Sequence, residues 1–145
     1  MPTCTDDDLT ASATSEDGQG RQPRHLLIVL TNSGDKKCNL YHYPYVRLGA
    51  YSRSPVPVIA ASDPGAPVTL APGDDAYAAL LVNAGAMDTY ETKAVTLRLQ
   101  DRREGSTTGD PISVELPAVA AFDDGARVTC WTTAQGYALD FVMSS

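Results

Sequence analysis

Histidine is scarce in this chain, which has only two, His25 and His42, among its 145 residues. Nucleophilic catalysis needs a base held beside a nucleophile, and the chain contains no Gly-x-Ser-x-Gly elbow. Zinc and copper need closely spaced His, Cys or Met ligands, whereas the two histidines and the pair Met87 and Met143 are scattered. We therefore expect no enzyme, no metal and no cofactor. The alternative is a hydrolase or metal-binding protein whose site is assembled from distant loops.

Basic residues are also few: 11 Lys and Arg stand against 18 Asp and Glu, which gives a net charge of −7. Nucleic acids and anionic membrane surfaces attract chains with an excess of Lys and Arg, so neither is an expected partner. Residues 1–20 hold five acidic and no basic side chains. We interpret them as a solvated, mobile flank of one secreted domain that spans residues 1–145.

Long hydrophobic runs are missing as well. No apolar segment approaches the ~20 residues that a membrane-spanning helix needs. No secretory signal precedes Cys4, so if the protein is exported, this sequence begins after the cleavage site and Met1 is an added start. A lipid anchor would then belong to the precursor.

Short β-type runs separated by turn residues make up the chain, and no helical period is sustained. The strongest run, His25–Thr31, is almost continuously apolar and predicts a central strand that is buried on both faces. Ala94–Gln100 alternates apolar and polar side chains, as a half-buried strand does. We predict an antiparallel two-sheet sandwich of about eight or nine short strands, of which Tyr137–Met143 is the last. A closed barrel is the structural alternative.

Several blocks of the sequence resemble a known family. They are Val29-Leu-Thr-Asn-Ser-Gly34, Cys38-Asn-Leu40, Tyr43-Pro44, Val46-Arg-Leu48 and Val68-Thr-Leu-Ala-Pro-Gly73. Together they resemble the actinobacterial family called domain of unknown function 4232. The resemblance implies a secreted or lipid-anchored protein of a Gram-positive cell envelope, with an immunoglobulin-like β-sandwich and no catalytic residues.

The same resemblance implies how the three cysteines are used. In the family the first two cysteines belong to the N-terminal half, which implies a disulfide between Cys4 and Cys38. The partner that the family supplies for the last cysteine is missing, which implies that Cys130 is a free and largely buried thiol. Cysteine arithmetic alone leaves three pairings open, and a Cys4–Cys130 bridge is the competing outcome.

Tyrosines crowd one short stretch that holds Tyr41, Tyr43, Tyr45 and Tyr51. The first three alternate, so in an extended loop their rings would point the same way and form a contact surface. The competing interpretation is that these rings merely cover the end of the sandwich. We expect a non-enzymatic extracytoplasmic binding or structural module, whose partner is a protein or a cell-wall carbohydrate.

Overall fold

The fold is described for residues 2–17, 23–48, 55–83 and 89–143 of a computed structural model. Besides two short 3-10 helices, Asp6–Asp8 and Ala60–Ser62, the chain forms eight strands and one α-helix over these residues. They are β1 (Leu9–Ser15), β2 (His25–Asn32), β3 (Cys38–Arg47), β4 (Val68–Leu70), β5 (Asp75–Leu81), β6 (Tyr90–Gln100), β7 (Thr107–Phe122), β8 (Arg127–Val128) and α1 (Gln135–Met143).

The strands form two antiparallel four-stranded sheets, with the orders β1-β2-β5-β8 and β4-β3-β6-β7. Immunoglobulin-like sandwiches divide their strands in the same way, with the first, second and fifth in one sheet and the third, sixth and seventh in the other. Here β4 pairs with β3, and β8 extends the first sheet. The facing sides of the sheets enclose a core that includes Trp131 and Phe122. The predicted all-β sandwich is confirmed.

The central strand β2 has two buried faces. It pairs with β1 on one side and with β5 on the other. Leu26 and Ile28 belong to the main core between the sheets. Leu27, on the opposite face, packs with Ala138 and Val142 of α1. β2 is apolar at successive positions because one of its faces packs against the second sheet and the other packs against the helix.

The last described element is this helix, so the predicted strand over Tyr137–Met143 is wrong. Ala138 and Val142 lie four residues apart and are both fully buried, whereas Tyr137 is exposed. A spacing of four places two side chains on one face of a helix. An apolar run this short is compatible with the periodicity of a strand or of a helix, and packing against the first sheet favours the helix. No helix among the described residues has the length and apolar character needed to cross a membrane.

The N-terminal segment forms an edge strand, although its acidic composition had suggested a mobile flank. β1 pairs with β2 in unbroken register along its whole length. Leu9, Ala11 and Ala13 alternate along it and pack against the core. Alanine, serine and threonine have small side chains with little apolar area, so the alternation of apolar and polar residues in β1 is a weak signal. The acidic residues that flank the strand dominated the interpretation of the sequence.

Candidate ligand-binding cleft

The strand that carries the tyrosine cluster is interrupted by a bulge. Residues 42–44 of β3 lie opposite a single residue of β6. His42 has a φ of 62°, in the left-handed region that residues other than glycine rarely adopt. Pro44 has no N–H to offer a neighbouring strand. The tyrosines therefore lie in a bulged strand and not in an exposed loop.

Two hydrogen bonds from distant parts of the chain fix the bulge. The N–H of Trp131 donates to the carbonyl of His42 at 3.0 Å. The Nε2 of Gln100 donates to the carbonyl of Tyr43 at 2.7 Å. Gln100 is buried, and its Oε1 accepts the N–H of Gly105 at 3.0 Å. The bulge is thus a defined conformation that redirects the side chains of β3, as bulges beside functional sites do.

A cleft of about 280 Å³ opens beside the bulge. Its walls come from β3, the loop before β4, the turn between β6 and β7, and the segment after β8. The lining residues are Leu40, Tyr41, His42, Asp63, Pro64, Gly65, Ala66, Pro67, Val68, Arg102 and Trp131. Most of this lining is apolar, and among the described residues that form it, ionisable groups are carried by Asp63, Arg102, His42 and the Tyr41 phenol.

The hydroxyl of Tyr41 is the centre of a hydrogen-bond network in the wall of the cleft. It accepts a hydrogen bond from Nδ2 of Asn39 at 3.2 Å and another from the guanidinium of Arg102. Thr69 Oγ1 donates to Oδ1 of Asn39 at 2.6 Å, which fixes the orientation of the amide. The bond from Asn39, followed by the bond from Arg102, holds the pKa of Tyr41 below its ordinary value of 10.0 despite burial. The network therefore orders the Arg102 side chain at the cleft.

A disulfide holds the N-terminal segment against this network. Cys4 and Cys38 are bonded, with their Cα atoms 4.9 Å apart. Asn39 donates its N–H to the carbonyl of Pro2 at 2.8 Å, and its own carbonyl accepts the N–H of Cys4 at 2.9 Å. The predicted disulfide is confirmed, and the competing bridge between Cys4 and Cys130 does not form.

The N-terminal segment also reaches the turn that carries Arg102. Thr3 Oγ1 donates to Oδ1 of Asp101 at 2.7 Å, and this bond lowers the pKa of the carboxyl group. The same carboxylate oxygen accepts the backbone N–H of Arg102 at 2.8 Å. A closed ring of contacts therefore joins residues 2–4, Asn39, Tyr41, Arg102 and Asp101.

The other tyrosines of the cluster do not join Tyr41. The rings of Tyr43 and Tyr45 form a T-shaped pair with centroids 5.6 Å apart. Tyr43 packs against the core, and burial raises its pKa. The described residues that line the cleft include neither of them, and Tyr51 lies outside the described residues. Tyr41 therefore lines the cleft with its buried ring, whereas Tyr43 and Tyr45 contact each other outside the described lining.

Residues 4–132 match the model of a family described as Domain of unknown function (DUF4232). The chain belongs to this family. The match spans all eight strands and every residue that lines the cleft, and it ends before α1. No curated protein and no solved structure gave a significant match to the chain.

The third cysteine of this DUF4232 domain is a core residue. Cys130 is free and buried, and burial raises the pKa of its thiol. Its backbone N–H donates to Oγ of Ser62 at 2.8 Å, and Ser62 donates in turn to the carbonyl of Ile59 at 2.6 Å. Because nucleophilic attack requires the thiolate, a thiol with a raised pKa is poorly suited to catalysis.

A second polar cluster lies between the end of β1 and the start of β2. Oδ1 of Asp17 is 2.9 Å from Nδ1 of His25, and its Oδ2 accepts the backbone N–H groups of Arg24 at 2.6 Å and of His25 at 2.8 Å. Burial raises the pKa of Asp17, but the bonds from His25 and Arg24 outweigh it. The pKa therefore lies below the ordinary value of 3.8.

Both histidines approach a carboxylate, which bears on the hydrolase alternative. The Nε2 of His25 is buried, and no described residue gives it a hydrogen-bond partner, so no hydroxyl or thiol stands ready there as a nucleophile. His42 donates from Nε2 to the carbonyl of Arg102 at 3.0 Å, and its Nδ1 lies 3.9 Å from Glu104. Within the described ranges, no group of three or more His, Cys, Asp or Glu residues could hold a metal ion.

Sequence reasoning found Tyr41 but missed the residues that surround it. Trp131 is the only tryptophan of the chain, and a single large aromatic residue near the last cysteine was a usable signal. The segment Pro64-Gly-Ala-Pro67, rich in proline and glycine, was a usable signal of a constrained loop that sequence reasoning did not use. Nothing in the sequence singled out Asn39 or Arg102, because their roles depend on a contact between β3 and the turn after β6.

Proposed function

We propose that this DUF4232 domain is a non-enzymatic extracytoplasmic binding module, and that it holds a protein or a cell-envelope polymer at the cleft beside the β3 bulge. The observation that carries the proposal is the cleft and its ordered wall. Tyr41 and Arg102 are held by the ring of contacts, and Trp131 and His42 are held by the bulge. Binding sites are built in this way, with a few polar groups fixed in a mostly apolar concavity.

The disulfide supports the extracytoplasmic part of the proposal. Disulfides persist in oxidising compartments and are rare where thiols are kept reduced. The Cys4–Cys38 bond lies in the described structure beside the cleft and closes a sequence separation of 34 residues. An oxidising location therefore supports both the fold and the ordering of the cleft wall.

The exposure of the aromatic residues favours a ligand group that enters the cleft over a sugar stacked on a flat platform. Trp131 is 1% exposed and Tyr41 is 7% exposed. Platforms that stack a sugar present an open ring face to solvent, and these two rings do not. A projecting side chain or chain end of the partner suits this site better.

The proposal is tested by filling the cleft. Ala66 is exposed and lines the cleft, so Ala66→Trp adds bulk there without disturbing the core. The matched control is Ala118→Trp, at an exposed position on β7. The probes are purified peptidoglycan and detergent-extracted envelope proteins of an actinomycete, and the readout is retention of purified domain by each.

We expect wild type and Ala118→Trp to be retained equally by at least one probe, and Ala66→Trp to be retained at least about tenfold less, because the ligand group loses its space. Equal retention of the two tryptophan variants would show that binding occurs at a surface other than the cleft. Retention of none of the three proteins would contradict the proposal for these partners.

A hydrolase is the second candidate function, because Asp17 orients His25 at 2.9 Å as the acid of a catalytic triad orients its base. Its test is turnover of simple esters and amides by wild type, His25→Gln and Glu16→Gln. Activity that disappears only in His25→Gln would support the hydrolase. A domain that only binds its partner should show no turnover in any of the three proteins.

A further inference from the structure

We propose that the cleft binds a carboxylate carried on a small apolar group, and that Arg102 pairs with this carboxylate. The inference rests on the proposed function and deepens it, because it gives the chemical class of the ligand. A carboxylate of this kind occurs in a free organic acid and at the end of a peptide chain. The chemistry at the cleft is the same in both.

The first step is the position of Arg102. It is the only Lys or Arg among the described residues that line the cleft. A guanidinium carries five N–H donors in a plane, which suits the two oxygens of a carboxylate. The hydroxyl of Tyr41 uses only part of this donor set. Because Tyr41 and Asp101 already hold the side chain and the backbone of Arg102, binding requires little further ordering.

The second step is the shape and lining of the cleft. Leu40, Val68, Pro64 and Pro67 supply apolar walls beside Arg102. A volume of about 280 Å³ lies just below the range of pockets for drug-sized ligands. The space therefore suits a group of a few carbon atoms, such as one branched aliphatic side chain.

The third step is the place of Trp131 in the same wall. Trp131 lines the cleft, and its indole Nε1 is buried without a hydrogen-bond partner among the described residues. Because this nitrogen is shielded from solvent although the cleft is open, the indole offers the ligand its ring and not its N–H. Its N–H resonance therefore reports on a group that binds beside the ring, while Arg102 supplies the donors for the carboxylate.

The opposite charge in the lining belongs to Asp63, which makes a cationic ligand the competitor. Oδ1 of Asp63 accepts the N–H of Gly65 at 2.8 Å and is thus engaged with its own loop. Arg102 has no carboxylate partner among the described residues at ion-pair distance. The lining therefore carries one negative and one positive group, and Arg102 is the group with which an anionic ligand would pair.

The experiment titrates small probes into 15N-labelled domain and follows the indole N–H resonance, which is unique because the chain has one tryptophan. The probes are 4-methylpentanoate, its primary amide and 3-methylbutylamine. N-acetyl-Ala-Ala-Leu with a free or an amidated C-terminus forms a second pair. We expect the acids to shift the resonance with at least about tenfold tighter binding than the amides and the amine. Whichever acid binds more tightly identifies the source of the carboxylate.

Two variants separate the role of Arg102 from general charge. Arg102→Gln removes the proposed partner, and Arg103→Gln removes a neighbouring exposed charge that does not line the cleft. Both positions are exposed, so denaturant midpoints close to wild type will confirm that both variants fold. We expect affinity for the acid to fall at least about tenfold in Arg102→Gln and to stay within about twofold of wild type in Arg103→Gln.

Equal affinity for an acid and its amide, preference for the amine, or no shift at any soluble concentration would overturn the carboxylate assignment. So would unchanged binding in Arg102→Gln. If the acids fail while Ala66→Trp still reduces retention of envelope material, the binding function survives with another ligand class. If the Ala66→Trp variant is also retained as wild type, both proposals fail.

Discussion

The two ends of β1 are tied down in different ways. Before the strand, Cys4 is bonded covalently to Cys38 at the start of β3. After the strand, Asp17 is held by hydrogen bonds to Arg24 and His25 at the start of β2. The first clasp joins the two sheets, whereas the second closes a connection within one sheet.

The difference extends to what each clasp touches. The covalent clasp is continuous with the backbone of Asn39, whose side chain bonds to the Tyr41 hydroxyl in the cleft wall. The clasp at Asp17 has no hydrogen bond in the described structure to any residue of the cleft lining. We infer that the first clasp serves both stability and the cleft, and that the second serves stability alone.

The largest expected effect is loss of the covalent clasp. Cys4→Ser combined with Cys38→Ser should lower the free energy of unfolding by roughly 3–4 kcal/mol, because the unfolded chain regains the entropy of a closed loop. Denaturant unfolding with and without reductant measures it. Reductant should destabilise wild type by a similar amount and leave the double variant unchanged. A double variant as stable as oxidised wild type would show that the clasp contributes nothing.

The clasp at Asp17 should contribute less. Asp17→Asn weakens the bonds to the two backbone N–H groups and to the ring of His25, and we expect a loss of about 1–3 kcal/mol at neutral pH. Glu16→Gln, at an exposed position beside it, is the control and should change stability by no more than about 0.5 kcal/mol.

The pH dependence of this second effect has a definite sign. The folded pKa of Asp17 lies below the ordinary value of 3.8, so the folded state favours the carboxylate. The stabilisation is therefore complete above pH 3.8 and is lost as the pH falls through the folded pKa. The gap in unfolding free energy between wild type and Asp17→Asn should narrow below pH 3.8. A gap that widens there would contradict the assignment.

The smallest effect is a coupling between the covalent clasp and the cleft wall. Tyr41→Phe leaves Nδ2 of Asn39 without its acceptor and should cost about 1 kcal/mol. In a double-mutant cycle with the disulfide, we expect the cost of Tyr41→Phe to change by about 0.5 kcal/mol or more when the disulfide is absent. In a cycle with Asp17→Asn, we expect the two costs to be additive within about 0.3–0.5 kcal/mol. Coupling to Asp17 of the same size would abolish the contrast between the two ends of β1.

Sequence reasoning worked where one local pattern determines the outcome. The apolar run of β2 and the alternation of β6 predicted strands, because burial on two faces or one leaves a readable periodicity. The disulfide followed from the family resemblance. These elements fix the sandwich and the clasp at its N-terminal end.

Sequence reasoning failed where a contact between distant segments decides. The bulge at His42 depends on hydrogen bonds from Gln100 and Trp131, which lie more than fifty residues away along the chain. The residue pattern of β3 gives no sign of this bulge. Tyr41 and Tyr43 were therefore predicted to share one surface, although the bulge lies between them. The run at the end of the chain was assigned to a strand for the same reason, since only packing on the first sheet makes it a helix.

The helix α1 also sets an order for folding during synthesis. It is the last of the described elements to leave the ribosome, and it covers the second apolar face of β2 through Ala138 and Val142. Until those residues emerge, β2 presents Leu27 to solvent, and the neighbouring strand β5 presents Leu81. Nascent chains that expose apolar strands in this way are prone to aggregate or to recruit chaperones. The sandwich can therefore begin to assemble from its N-terminus, but the outer face of its first sheet is covered only after residue 142 has emerged from the ribosome.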